Sequence, residues 1–448
     1  MEGSLLKKYV GTDLKTETLR QEAFKTFKAV NEHMLDTNLG ILLRPLCRDL
    51  PLRHLSKNER LFARARNLVH WTLREFSYEE LFHHSKNSGG STLGVPYKET
   101  SPERKFTYPL SCTEAVIPLW TEYLDWDLHL SLAIDELNSS RPVVEKYDVV
   151  EGSRATTVPK STEKERMIAI EPTLNMFFQQ GLMEMMYSRL KQVGLDVESL
   201  PLKHTKLAMI GSVTGTLATI DFSSASDCVS TELLRFLLPP EWFECVDLLR
   251  SPCISINKEL KRCNMISTMG NAGTFPLETL VFWSLGVAVI LEAEVTNPNA
   301  LLSSWEHREK VSVFGDDCIL PTRHASRFIE VCESVGFMVN KEKSFYDHAP
   351  GFRESCGGDY LHGSDVRPLS IKAPTSNKKS ALEPWLYIQL NGIIKKYISY
   401  FGATNYVYES RALEYIFSLF KRYKLLVKLV PDYFPDDAGL KTSDWARL

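Results

Sequence analysis

No two cysteines in this chain are spaced as Cys-x-x-Cys, although nine are present, so the usual structural-zinc and dithiol signatures are missing. An odd number of cysteines with no framework fits a reducing cytosol, not a disulfide-stapled secreted domain. Long apolar runs are also missing. The longest, LVFWSLGVAVIL between Glu278 and Glu292, falls short of the roughly 20 residues that cross a bilayer and reads as a buried helix, which argues against a membrane partner. The first residues, MEGSLLKKYVG, hold no apolar signal core. There are no internal repeats and no low-complexity tracts. Charge of one sign is scarce too: 53 Lys and Arg stand against 56 Asp and Glu, a net −3. A polyanion partner would therefore need a local basic surface. What is present is an ordinary globular composition, 44% hydrophobic and 24% charged over 448 residues, enough for two or three packed subdomains.

Within that background, VSVFGDDCILP (residues 311–321) reads as strand, turn and strand, with Asp316 and Asp317 at the tip. Adjacent carboxylates repel unless a cation lies between them, and hard oxygen ligands suit Mg²⁺. Gly-Asp is also ordinary turn chemistry, so the pair needs company. LATIDFSSASD (residues 217–227) supplies it: an apolar strand delivers Asp221 at its exit, Ser223 or Ser224 can cap a helix running past Asp227 to Leu238, and Pro239–Pro240 stop it. In STMGNAGTFPLE (residues 267–278) a small-residue loop with Gly270 and Asn271 opens the long apolar helix, with Thr274 as a possible cap and Pro276 in the first turn.

Upstream, RATTVPKSTEKERMIAIE (residues 154–171) has strand-like ends around a charged middle. It is either a solvated hairpin or a set of cations (Arg154, Lys160, Lys164, Arg166) that neutralise a triphosphate. The Gly- and Ser-rich stretch 86–106 is a linker or a loop touching a phosphate chain. GSVTG (residues 211–215) lacks the lysine of a phosphate-binding loop and reads as a turn. Helical spacing marks 17–36, 58–76, 113–137, 172–194, 324–336, 380–401 and 407–430; FMVNKEKSFYD reads as a strand and 352–374 as a hairpin with turns. Four basic residues and no acidic one lie between Arg367 and Lys379. If Asp221 and the Asp316–Asp317 tip share a sheet, three carboxylates can converge on two divalent ions, the arrangement for in-line phosphoryl displacement.

DFSSASD, STMGNAGTF and FGDD, in that order, resemble motifs A, B and C of viral RNA-dependent RNA polymerases. VPKSTEKERMIAIEP is similar to motif F, NKEKSF to motif D, and FRESCGGDYLHGSDVRP to motif E and the segment just after it. The Ser-rich DFSSASD, MGN followed by TF-x-LE, and FRESCG resemble most the replicase catalytic (β) subunit of the single-stranded RNA bacteriophages, the leviviruses.

The resemblance implies an α+β right-hand polymerase fold of fingers, palm and thumb, with an antiparallel palm sheet flanked by helices. The expected limits are an N-terminal region and fingers at 1–204, palm at 205–240, a fingers insertion at 241–266, palm again at 267–365, and thumb and C-terminal helices at 366–448. It implies that Asp221, Asp316 and Asp317 bind two Mg²⁺, with Mn²⁺ as a replacement. Lys343 matches the lysine proposed to protonate pyrophosphate, with Lys341 a nearby rival. Lys160, Lys164 and Arg166 would hold the triphosphate, with Asp227, Gly270 and Asn271 beside the ribose 2′-hydroxyl, the group that separates RNA from DNA. Arg154, Arg353, Arg367 and Lys372 are the basic side chains expected to contact RNA.

The implied partners are RNA template and product, rNTPs and, from the host, elongation factors Tu and Ts, a small-subunit ribosomal protein and an RNA chaperone, in the cytoplasm of an infected bacterium. A reverse transcriptase also uses three palm aspartates, but usually excludes the 2′-hydroxyl with a bulky aromatic where this chain has Ala225 and Ser226. An inactive RNA-binding relative is the remaining alternative, which the three intact carboxylates oppose.

Overall fold

Three short strands frame the acidic residues. LATI at Leu217–Ile220 and DCILP at Asp317–Pro321 are apolar and largely buried, which suits strands covered on both faces. The second strand lies at the centre, paired antiparallel to Leu217–Ile220 on one side and to Ser312–Phe314 on the other. Ala218, Ile220, Val313, Cys318, Ile319 and Leu320 fill the interior. The computed structural model describes residues 16–140, 145–161, 163–295, 305–368, 374, 376, 378–401 and 411–445.

Behind this sheet runs the Thr274–Glu294 helix. It is long and apolar enough to cross a membrane by composition, yet 94% of its apolar window is buried within the protein. It is therefore a core helix, as its short apolar run suggests. Phe282 stacks on Phe222 with ring centroids 4.5 Å apart, and Phe337 closes on both. Gly286 lets the helix approach Val311: a Cβ there would lie 2.9 Å from a Val311 methyl carbon. A second sheet has four strands in the order Glu165–Ile170, Gly152–Pro159, Cys253–Ile256, Glu259–Arg262.

The chain folds as two compact units. Arg20–Val158 and Arg166–Gly363 form one, and it contains both sheets' strands, apart from the end residues Pro159 and Glu165, and the large core. The other is built mainly from Ser364–Leu448 together with Pro159–Glu165. It has its own core, in which Leu386, Tyr387, Leu390 and Ile394 pack with Leu413, Ile416 and Phe420.

Several local expectations change. The helix after Asp221 starts only at Thr231, capped by Ser230, whose Oγ accepts from Leu233 N at 3.1 Å. Ser223 instead pairs with Met338 in a short strand, and Ser224 sits in the left-handed region at φ 51° without capping anything. Thr274 is not a cap either; Gly273 holds that position, and Thr274 Oγ1 donates back to Thr268 O. Gly211–Thr214 is the last turn of a Leu200–Thr214 helix, not a free turn; only Gly215 (φ 69°) has the left-handed geometry of a helix stop.

The 113–137 stretch is two helices broken at Asp127, whose carboxylate caps the second through Leu130 N. After Val339 the chain forms turns in place of a continued strand, and the last long helix is Arg411–Arg422.

Candidate active site

Register brings the acids together. Cys318 faces Ile220 across the antiparallel pair, so the next position places Asp317 opposite Asp221, and Asp316 lies beside it in the turn. That turn needs Gly315, at φ 61°, where a Cβ would stand 2.6 Å from the Phe275 ring. Gly315 N donates to Thr279 Oγ1 at 3.0 Å, tying the hairpin tip to the core helix.

Asp221 and Asp317 are each held by partners from other segments of the chain. Asp221 Oδ2 accepts from Asn340 Nδ2 at 2.7 Å, and its carbonyl accepts from Asn340 N at 2.8 Å. Asp317 Oδ1 accepts from Ser355 Oγ at 3.3 Å, and Oδ2 from Cys356 N at 3.3 Å. Burial, then the charges of Asp316 and Asp221, push the Asp317 carboxyl up to about 6. Asp316 is likewise raised, by burial and then by Asp221, against the opposing pull of Arg166 and Lys343. Carboxylates crowded so that their neighbours' charges raise Asp316 and Asp317 form a pocket of excess negative charge.

The segment bearing Lys343 is fastened beside the Asp221 strand because Phe345 bridges to Thr219 through two backbone hydrogen bonds of 2.7 and 3.0 Å, and Lys343 N donates to Asn340 O. Its ammonium lies 4.0 Å from Glu354. Asp227 Oδ1 accepts from Met269 N at 3.3 Å. Burial lifts its carboxyl to about 7, against the Met269 N–H and Arg166. Asn271 Oδ1 accepts from Gly273 N at 2.8 Å, bracing the loop. Gly270 (φ 127°) rests on the Ala169 backbone, where a Cβ would lie 2.1 Å from the carbonyl oxygen; Ala169 N donates to Met269 O at 2.7 Å. The strand that ends the charged hairpin is thus bonded to the small-residue loop.

The remaining expected residues divide. Arg166 and Arg154 are exposed on the hairpin strands of the larger unit. Lys160 and Lys164 are exposed at the hairpin tip, which belongs to the other unit; Lys160 N donates to Lys164 O at 3.0 Å. Arg367, also in that unit, donates its backbone N to Asp365 Oδ1. Lys372 lies outside the described residues. Arg353 is a correction. It is 2% exposed, and its guanidinium donates to Leu217 O at 2.8 Å, Phe352 O at 2.9 Å and Asp347 O at 2.6 Å. It staples a hairpin to the Asp221 strand and is not presented to RNA.

The family described as "RNA replicase, beta-chain" matches residues 1–387. The chain belongs to the RNA replicase beta-chain family. It is 31% identical over 372 residues to the RNA-directed RNA polymerase beta chain of Enterobacteria phage fr, covering 82% of this chain and 61% of that one. It is 37% identical over 297 residues to the RNA-directed RNA polymerase subunit beta of Escherichia virus Qbeta, covering 66% and 46%. The chain thus spans about half the length of these relatives. A solved structure, the RNA-dependent RNA polymerase of bacteriophage phi12, overlaps with a TM-score of 0.42 and 12% identity over 86% of this chain and 66% of that one.

Sequence reasoning missed several residues of this replicase-family site. Asn340, Ser344, Ser355 and Cys356 hold the aspartates, and the signal lay in the polar neighbours of the cations in NKEKSF and FRESCG. Ser344 Oγ accepts from Asp221 N at 3.1 Å. Glu278 was missed as well. It is 4% exposed, Oε1 has no hydrogen-bond partner, and burial, then Asp316 and Asp227, raises its carboxyl well above the ordinary range.

Among the described residues no three His, Cys, Asp or Glu side chains are grouped so as to hold a metal ion as they stand. The donor chemistry nonetheless fits a divalent cation. The acids are hard oxygen donors, two of them, Asp316 and Asp317, with raised pKa values, and Mg²⁺ is usually satisfied by one or two carboxylates plus substrate phosphates.

The raised Asp317 pKa has a stability consequence. Without metal, the folded chain keeps that proton between about 4 and 6 and the unfolded chain does not, so folded stability falls as pH rises through that window and stays lower above it. Asp317→Asn is expected to stabilise the metal-free protein at pH 7.5 by roughly 1–3 kcal/mol of relieved penalty, read as a higher melting temperature, and to have little effect at pH 4. Thermal melts at both pH values with a chelator check this, and an equal effect at both would refute it.

Proposed function

We propose that this replicase-family chain is a template-directed RNA polymerase that adds ribonucleoside monophosphates to an RNA 3′ end to replicate a viral genome. In this reading it is a right hand, with palm at 205–240 and 267–365, fingers from 1–204 and 241–266, and thumb at 366–448. The observation that carries it is the antiparallel register that sets Asp221 against Asp317 beside Asp316. The separate unit and core from Ser364 onward support the thumb assignment.

Asp221, Asp316 and Asp317 would hold the Mg²⁺ ions, which when bound supply charge neutralisation at the reacting phosphate and lower the pKa of the attacking 3′-hydroxyl. Arg166 and Lys343 add positive charge toward Asp316, where an anionic triphosphate needs it. Lys343, whose charge acts on Asp316, is better placed than Lys341 to give a proton to departing pyrophosphate. Lys160 and Lys164 complete the triphosphate set, and Arg154, Arg367 and Lys372 the RNA contacts. Asn271, in the loop that Gly270 seats, and Asp227, bonded to that loop at Met269 N, would sense the 2′-hydroxyl.

Incubation of the purified chain with RNA, four rNTPs and Mg²⁺ or Mn²⁺ tests the reading. A parallel arm with bacterial extract tests the expected need for elongation factors Tu and Ts, a ribosomal protein and an RNA chaperone. Incorporation of dNTPs in place of rNTPs would favour a reverse transcriptase; RNA binding without extension in both arms would favour an inactive relative. Asn271→Ala is expected to lower the rNTP-over-dNTP preference by roughly 5–10-fold, the worth of about one hydrogen bond. An unchanged ratio in single-nucleotide addition would remove Asn271 from sugar sensing.

A further inference from the structure

His204, on the Leu200–Thr214 helix, is completely buried. Each ring nitrogen meets a serine. Nδ1 lies 2.9 Å from Ser355 Oγ, and Nε2 lies 3.0 Å from Ser312 Oγ. Both serines are buried as well, at 1% and 2% exposure. Ser312 opens the strand that leads into Gly-Asp-Asp, and Ser355 closes the Phe352–Ser355 strand. Ser355 Oγ continues to Asp317 Oδ1 at 3.3 Å. The line Ser312, His204, Ser355, Asp317 therefore joins a helix and two strands to one carboxylate oxygen.

Chemistry sets the direction of every hydrogen along this line. An ionised carboxylate only accepts, so Ser355 gives its single proton to Asp317. The Ser355 oxygen is then the acceptor for His204, and Nδ1 must carry the imidazole proton. Burial pushes the His204 pKa down to about 3, so the ring is neutral and Nε2 keeps a lone pair. Ser312 donates to that lone pair. Any buried imidazole needs partners for both nitrogens; what sets this one apart is that one partner, Ser355, goes on to a carboxylate oxygen of Asp317. A neutral imidazole whose second nitrogen fixes its tautomer is the kind of outer support that orients metal-binding carboxylates.

We propose that His204 is a positioning residue that, through Ser355, orients the Asp317 carboxylate for divalent-cation binding. The proposal rests on the polymerase reading for the role given to Asp317. The Cys356 backbone N–H fixes the other oxygen, Oδ2, so loss of the Ser355 hydrogen bond would let the carboxylate turn about that remaining anchor.

The test is Mn²⁺ binding to the full 448-residue chain, read by electron paramagnetic resonance of the free ion. The proteins compared are the parent, His204→Asn, His204→Gln, Ser355→Ala and Asp317→Asn. Asn places an amide near the Nδ1 position and keeps the donor to Ser355; Gln reaches toward Ser312 and loses it. The Mn²⁺ dissociation constant of the site that Asp317→Asn removes is expected to rise about 10-fold in His204→Gln and Ser355→Ala, and less than about 3-fold in His204→Asn. The His204→Gln/Ser355→Ala double variant should bind no more weakly than Ser355→Ala, because both act on one path.

Unchanged affinity in His204→Gln and Ser355→Ala would overturn the proposal. So would equal weakening by Asn and Gln that tracks an equal fall in melting temperature. If His204→Gln does not fold, His204→Leu, which also lacks a donor to Ser355, takes its place with the same expected rise, and unchanged affinity in it overturns the proposal. A parent that binds Mn²⁺ at Asp317 yet extends no RNA would count against the polymerase reading, while the affinity series would still decide the role of His204.

Discussion

Asp316→Asn is expected to lower Mg²⁺-dependent RNA extension by on the order of 10³-fold or more, with the fold intact. Asn keeps the size of the side chain and removes its charge. Asp316 sits in the turn that Gly315 makes possible against Phe275, and it exchanges charge repulsion with Asp221 and Asp317. A cation bound among these acids loses one of its few anionic ligands, and several kcal/mol of charge stabilisation at the reacting phosphate goes with it; about 4 kcal/mol corresponds to about 10³ in rate. The measurement is single-turnover extension of a primed RNA at saturating rNTP, with melting temperature as the control for folding. Extension within tenfold of the parent would remove Asp316 from metal binding.

Arg353→Met should have the largest effect on stability. The guanidinium is 2% exposed and serves three backbone carbonyls, those of Leu217, Phe352 and Asp347. Met fills part of the volume and donates to none of them, so buried acceptors lose their partners. Each buried carbonyl that finds no other donor costs about 1–3 kcal/mol, which a thermal or urea melt would register. Arg353→Lys should rescue little, because a single ammonium cannot reproduce the fork that spans three carbonyls. Binding of a short RNA, measured well below the melting temperature, should stay within about twofold of the parent, since no exposed cation is lost. A large fall in RNA affinity with unchanged stability would restore Arg353 to the RNA-binding surface.

These two residues mark what a sequence can and cannot disclose. Asp316 was legible because its chemistry is local: two carboxylates after a glycine, between apolar strands, announce a turn with a charge problem. Arg353 carries the same formal charge as Arg154 or Arg166, and nothing within FRESCG distinguishes an arginine aimed at solvent from one folded under a neighbouring strand. The helix cap after Asp221 was misplaced for a related reason. DFSSASD offers three serines with equal capping chemistry, and the pairing of Ser223 with Met338, 115 positions away in the chain (338 − 223), removes the nearest of them.

Residue order alone specified the identity and succession of the chemical parts: the acids, the small-residue loop, the charged hairpin and the apolar core helix. It could do so because strand alternation, turn residues and apolar runs act over a few positions. Which parts meet was settled by packing between distant segments. Register set Asp317 across from Asp221, Asn340 and Ser355 became the supports of those acids, His204 acquired two buried hydroxyl partners, and Arg353 turned inward. The energies behind each of these come from burial and hydrogen-bond satisfaction in three dimensions, and no local pattern encodes them.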